Sequence, residues 1–211
     1  MKLLYNPPYL LKRMFSEFYW QTTNRKILLT FDDGPNPGNT ENILNTLNEL
    51  KIKALFFCVG ENAQNHKELV KSILGEKHII GNHTFNHFAL TKLKYVDALN
   101  EINKFSSLMK TEYNYGVKFF RPPYGRINFS TTKLMNESGL KCVMWNLLTY
   151  DYKKDLEKVK FAVDNYLQEN SIIVLHDNLK SKNFIVESIK HIANRAAKKG
   201  FEFGSADECL K

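Results

Sequence analysis

Two adjacent carboxylates, Asp32 and Asp33, follow the apolar run 27–30 and precede Gly34-Pro35. Neighbours on an extended backbone point to opposite sides. One carboxylate can then face a metal ion while the other faces substrate, a division of labour suited to metal-assisted hydrolysis. Read alone, Asp-Gly-Pro is ordinary turn chemistry. Further along stand His83 and His87, at the four-residue spacing that puts two imidazoles on one face of a helical turn and lets both hold one ion. Arg121 opens the stretch Arg121-Pro122-Pro123-Tyr124-Gly125. Its guanidinium can pair with a carboxylate through two hydrogen bonds, and the prolines stiffen the segment, so that the N–H groups after them keep a set direction. The plain alternative is a rigid surface loop with a solvated arginine. Asp151-Tyr152 and His176-Asp177 complete the set, and each is unremarkable in isolation.

These groups gain weight from the elements that carry them. Short β-branched or aromatic runs at 27–31, 54–59, 78–80, 117–120, 142–148, 172–176 and 201–203 read as strands. Stretches of helical period separate most of them. Ile43, Leu44, Leu47 and Leu50 mark one helix face, with Asn39 or Thr40 available as its N-cap. Leu69, Val70, Ile73 and Leu74 mark a second helix that ends near Gly75, and a third runs from Val96 to Met109. Leu134 and Met135 sit in a shorter fourth that stops at Gly139, Val159 to Leu167 form a fifth, and Ile185 to Ala197 a sixth. Alternation of strand and helix implies right-handed crossovers and a mainly parallel sheet, either doubly wound or closed into a barrel. In both, ligands bind beyond the carboxyl ends of the strands. Five of the expected strands deliver Asp, His or Arg to that end, a recurrence that packing alone does not explain. His66, His78 and His191 fall in helices or at a strand start and read as structural or solvated.

The chain has 211 residues, 43% hydrophobic and 25% charged, which fits one globular domain. No repeat, linker or low-complexity tract divides it. An aromatic, Pro-containing lead, 1–24, precedes the alternating part, and packing of its aromatic residues across one end of the fold is favoured over a sugar platform. No apolar stretch reaches the ~18 residues of a membrane span, since 172–175 is cut off by His176 and Asp177. The net charge of +8 is scattered over expected helix faces without a nucleic-acid-binding motif, so a solvated basic surface is expected and no nucleic acid partner. Three cysteines without a Cys-x-x-Cys spacing point to reduced thiols. The start Met1-Lys2-Leu3-Leu4-Tyr5 has the look of an export signal, but Asn6, Pro7 and Pro8 interrupt it, and Lys12 and Arg13 precede any cleavage site. No signal peptide is read. A cytoplasmic or undetermined compartment is expected, with secretion still open.

Taken in order from Thr30 to Asp177, the motifs resemble those of the polysaccharide deacetylase family, carbohydrate esterase family four with the NodB-homology domain. Thr30-Phe31-Asp32-Asp33-Gly34 resembles the first motif and His83-Thr84-Phe85-Asn86-His87 the second. Arg121-Pro122-Pro123-Tyr124 resembles the third and Val174-Leu175-His176 the fifth. The resemblance implies an α/β fold, an irregular (β/α) barrel of about seven parallel strands with outer helices, with 25–211 as catalytic domain and 1–24 packed on it. It implies metal-dependent removal of acetyl from N-acetylglucosamine units of a peptidoglycan or chitin-like polymer or oligomer, with release of acetate. Asp33, His83 and His87 would hold a divalent metal, Zn²⁺ foremost. Asp32 would be the general base, oriented by Arg121. His176 would be the general acid tuned by Asp151, and the Tyr124 N–H an oxyanion donor. The chain departs from the family pattern at Tyr152 where Trp is expected, at Leu148 in place of an acid, at Val174 where Leu is usual and at Asn170 where Gly is frequent. The expected partner is an N-acetylated glycan. The alternatives are an O-deacetylase or small-amide hydrolase with the same site, and a sugar-binding protein with a weak one.

Overall fold

The computed structural model describes residues 4–211 and places seven parallel strands in one sheet. In chain order these are β1 (Leu28–Asp32), β2 (Ala54–Cys58), β3 (Ile79–Asn82), β4 (Phe119–Phe120), β5 (Lys141–Cys142), β6 (Leu147–Leu148) and β7 (Ile172–His176). Their order across the sheet is β5-β4-β3-β2-β1-β7-β6, the half-barrel of an irregular (β/α) barrel. Around it lie α1 (Tyr9–Met14), α2 (Thr40–Glu49), α3 (Gly60–Asn65), α4 (Lys67–Gly75), α5 (Tyr95–Tyr113), α6 (Phe129–Ser138), α7 (Leu156–Tyr166), α8 (Ile185–Lys198) and α9 (Ala206–Cys209). Among the described residues no helix is long and apolar enough to cross a membrane.

The central strands are covered on both faces, which is why they read as unbroken apolar runs rather than alternating ones. Leu29 and Phe31 of β1 face outward and pack with Ile43 and Leu47 of α2 and Ile185 and Ile189 of α8. Leu28, by contrast, joins Leu55, Phe57 and Ile172 in a separate inner cluster, with Ala206 and Cys209 of α9 against it. A strand's period of two puts Thr30 and Asp32 on the same face as Leu28. The residue that heads the strand therefore points into the barrel mouth. Asn128 caps α6 with a reciprocal bond to Thr131, and Gly139 ends it at φ 69°, a conformation that glycine adopts without steric cost.

Two strand expectations need correction. The run 142–148 forms β5 on one edge of the sheet and β6 on the other, with residues 143–146 bridging the gap between them. The backbone partners of that bridge come largely from outside the sheet. Tyr19 of the lead pairs with Val143, its N–H donating to the Cys142 carbonyl at 2.9 Å and its carbonyl accepting from Met144 N–H at 2.8 Å. The Leu148 N–H donates to the Tyr5 carbonyl at 2.8 Å, so the lead satisfies sheet edges that would otherwise be open. Residues 201–203 form no strand beyond a single bridge between Ile27 and Phe203, because the chain turns at once into α9 through a Ser205–Glu208 capping box. In the lead, Phe15, Phe18 and Trp20 are buried with Ile102, Phe120 and Leu134, whereas Tyr9 is exposed. Tyr5 stacks on Tyr166 and meets Tyr150 edge-on. All three cysteines are free and buried.

Candidate active site

At the carboxyl end of β1, Asp32 is buried and its Oδ1 accepts from Arg121 Nη1 at 2.8 Å. Arg121 is not a solvated loop residue, because it is fully buried and each nitrogen of its fork is committed. Nε donates to the Val143 carbonyl at 2.9 Å, Nη1 also to Thr30 Oγ1 at 2.6 Å, and Nη2 to the Met144 carbonyl at 2.8 Å. The guanidinium lies 4.3 Å from the centre of the Phe57 ring. A buried charge persists only when it is paired and hydrogen-bonded, and here both conditions are met. The same side chain ties Asp32 to the bridge between the two sheet edges.

Asp33 takes φ +77° and turns away from Asp32. Its Oδ1 lies 3.2 Å from His87 Nε2 and 3.7 Å from His83 Nε2, and the three ligand atoms are all within 4.8 Å of one another. Burial alone would raise the Asp33 carboxyl, but a hydrogen bond to His87 and the charge of the nearby His176 outweigh it and hold it well below the usual carboxylate range. The helical turn expected for 83–87 is absent. Thr84 and His87 both have positive φ, and the loop is pinned by Thr84 N–H donating to Asn82 Oδ1 at 2.8 Å and Asn86 N–H to Glu101 Oε2 at 2.7 Å. The two imidazoles converge through this loop rather than through a helix period, their ring centres 5.0 Å apart.

His83 has its Nδ1 2.7 Å from the Arg121 carbonyl, which assigns the proton to Nδ1 and leaves the Nε2 lone pair facing Asp33. Burial pushes His83 down to about 4, so the imidazole is neutral, the form that binds metal. One carboxylate and two imidazoles, with His83 Nδ1 held by the Arg121 carbonyl and Asp33 Oδ2 by Asn178, suit a borderline divalent ion such as Zn²⁺, and leave coordination positions open.

Across the mouth, Asp32 and His176 are register partners on the adjacent strands β1 and β7. His176 Nδ1 lies 2.7 Å from Asp151 Oδ1, and the His176 N–H donates to Asp151 Oδ2 at 2.6 Å. Burial disfavours the imidazolium, but the charge and hydrogen bond of Asp151, with Asp33 and Asp32 behind them, win and lift His176 to about 9. The Tyr152 ring meets the imidazole edge-on at 5.0 Å. Tyr124 adopts φ 62° between Pro123 and Gly125, and its ring lies 4.8 Å from that of His87. Gly125 is also at positive φ, with Trp145 so close that a Cβ would collide with Cη2. An open groove of about 780 Å³ joins these groups and is walled by Trp145, Leu148, Tyr152 and Val174.

Several residues of the site carried no assignment from sequence. Asn178 donates to Asp33 Oδ2 at 2.8 Å, and Asn62 donates to the Asp33 carbonyl at 2.8 Å. Asn39 and Thr40 do not cap α2 through their side chains. They donate to the buried carboxyl of Asp177 at 2.9 and 2.6 Å. The carboxyl of Asp177 is pushed up to about 7, burial outweighing these bonds. Asn directly after His176-Asp177 was the one available sign, since Asn builds turns. Trp145 had none.

A family model described as polysaccharide deacetylase matches residues 20–143, more than half of the chain. The chain belongs to the polysaccharide deacetylase family. A peptidoglycan-N-acetylglucosamine deacetylase of Bacillus cereus is 40% identical over 128 residues, 61% of this chain and 46% of that protein, so the chain spans less than half of that relative's length. A second B. cereus protein of the same name is 31% identical over 202 residues, covering 91% of this chain and 92% of its own. The crystal structure of the Bc1960 peptidoglycan N-acetylglucosamine deacetylase superposes with a TM-score of 0.86 at 30% identity, over 94% of each chain. In this polysaccharide deacetylase the matched segment holds Asp32, Asp33, His83, His87, Arg121 and Tyr124. Asp151 and His176 lie beyond it.

Proposed function

We propose that this chain is a metal-dependent N-deacetylase of N-acetylglucosamine units in a peptidoglycan-like glycan, releasing acetate and a free amino sugar. The observation that carries the reading is the pairing of Asp32 with His176 across β1 and β7, one held by Arg121 and the other by Asp151, beside the cluster of Asp33, His83 and His87. The names of the relatives support the same substrate class.

Asp33, His83 and His87 would hold the divalent ion, most suitably Zn²⁺. Bound there, such an ion lowers the pKa of water and polarises a carbonyl. Asp32, with Oδ1 fixed by Arg121, takes the proton from water as the oxygen adds to the acetyl carbon. The Tyr124 N–H, aimed by its left-handed backbone and the fixed Gly125, donates to the carbonyl oxygen as charge grows on it. His176 carries a proton at neutral pH and gives it from Nε2 to the departing nitrogen. The C–N bond breaks, and the products are acetate and amine. Trp145, Leu148 and Val174 line the groove and offer an apolar wall to the acetyl methyl. Tyr152 keeps the aromatic contact with His176 that the family's Trp would make.

The test is acetate release from N-acetylated chito-oligomers and from peptidoglycan fragments, using metal-stripped protein with and without added Zn²⁺. Zn²⁺-dependent acetate from at least one substrate, lost in Asp32→Asn, is expected. Zn²⁺ binding without acetate from either substrate would overturn the N-deacetylase reading and favour O-acetyl or small-amide substrates, or a sugar-binding role.

A further inference from the structure

The turn after β7 carries a side chain that the deacetylation chemistry does not use. Asn178 Nδ2 donates to Asp33 Oδ2 at 2.8 Å, while Asp33 Oδ1 is the oxygen that faces His83 and His87. The other end of the amide decides its orientation. Asn178 Oδ1 accepts the backbone N–H of Lys180 at 2.9 Å and of Ser181 at 3.3 Å, so the nitrogen must be the atom turned toward Asp33. The backbone of the turn is held as well. The Ser181 hydroxyl donates to the His176 carbonyl, with the Asn178 carbonyl 3.0 Å from the same hydroxyl oxygen, and the Asn178 carbonyl accepts from Asn39 Nδ2 at 3.3 Å. One residue earlier, Asp177 N–H donates to the Asp32 carbonyl at 2.7 Å, and its buried carboxyl takes the side chains of Asn39 and Thr40.

We propose that Asn178 is a positioning residue for the metal site: it occupies one oxygen of Asp33 and so presents the other as a single ligand atom toward His83 and His87. This rests on the ligand set of the proposed deacetylase but not on its substrate. A free carboxylate rotates about its last bond and can offer one oxygen or both to an ion. A donor fixed on one oxygen removes that freedom, and hydrogen bonds to ligating groups commonly carry 10- to 100-fold in metal affinity. A neutral amide does this without adding charge. An aspartate at 178 would keep the acceptor for Lys180 and Ser181 but would turn an oxygen, rather than a donor, toward Asp33.

The experiment measures Zn²⁺ affinity of stripped protein by competition with a chromophoric chelator, with no glycan present. It compares wild type, Asn178→Asp, Asn178→Ser, Asn178→Ala and Ser181→Ala, and records thermal unfolding of each metal-free protein. Asn178→Ser keeps a turn acceptor but is too short to reach Asp33. The expected result is roughly 10- to 100-fold weaker Zn²⁺ binding in all three Asn178 variants. At least one of these variants unfolds near the wild-type temperature, and Ser181→Ala, which loosens the same turn without facing Asp33, binds Zn²⁺ like wild type. Folded Asn178 variants that bind as tightly as wild type, or more tightly, would overturn the role. So would an equal loss in Ser181→Ala. Wild type that fails to bind Zn²⁺ would instead remove the metal site itself.

Discussion

Replacing Asp151 with Asn isolates the element that keeps His176 protonated. Asp151 contributes both a charge and a 2.7 Å hydrogen bond to Nδ1, and these are the leading causes that raise the imidazole against the lowering effect of burial. Asn retains the shape and one acceptor but no charge. If His176 falls from about 9 to the ordinary value of 6.5, its protonated fraction at pH 7.5 drops from about 97% to about 9%, roughly a tenfold loss of general acid. Burial pulls in the same direction, so this is the smaller expected effect. The sign is definite. A group whose pKa is raised acts as an acid up to that pKa and is lost above it, so the alkaline limb of the rate profile moves to lower pH in Asp151→Asn. At pH 6 the deficit is smaller than at pH 8. The assay is kcat/KM for acetate release from an N-acetylated oligomer between pH 5.5 and 9.5, with Zn²⁺ saturating. An alkaline limb at the same pH in both proteins, or an equal deficit at pH 6 and pH 8, would refute the tuning of His176 by Asp151.

Two further substitutions test the frame around the site. Arg121→Lys keeps the charge but cannot serve Asp32, Thr30, Val143 and Met144 together. Urea unfolding should show a loss of roughly 1–3 kcal/mol for each buried acceptor left without its donor, along with loss of activity. A loss below about 1 kcal/mol would show that the fork does not hold the bridge at 143–146. Gly125→Ala places a Cβ against Trp145 at a backbone conformation of φ 62°. It should lower kcat more than it raises KM, because the Tyr124 N–H is displaced from a group whose charge develops only during reaction; unchanged kcat would remove Tyr124 from the mechanism.

The sequence by itself carried the order of the elements and most of the chemical groups. Its apolar runs located the central strands because those strands are buried on both faces, and its helical periods located α2 and α4 to α8. The placement of Asp, His and Arg at strand ends marked one mouth of the fold, since parallel strands bring all their carboxyl ends together. What only the tertiary structure decided was how those groups meet. His83 and His87 converge through a loop with two positive-φ residues, which no period in the sequence encodes. The run 142–148 reads as one strand, yet it divides between two sheet edges because Tyr19, from the far end of the chain, and Arg121 take its backbone partners. Asn39 and Thr40 look like a helix cap, yet a buried carboxyl 138 and 137 residues away recruits them. Local sequence reports the conformation a segment prefers. It does not report a polar partner brought up from a distant part of the chain, and in the buried interior an unpaired polar group is costly enough for that partner to decide the outcome.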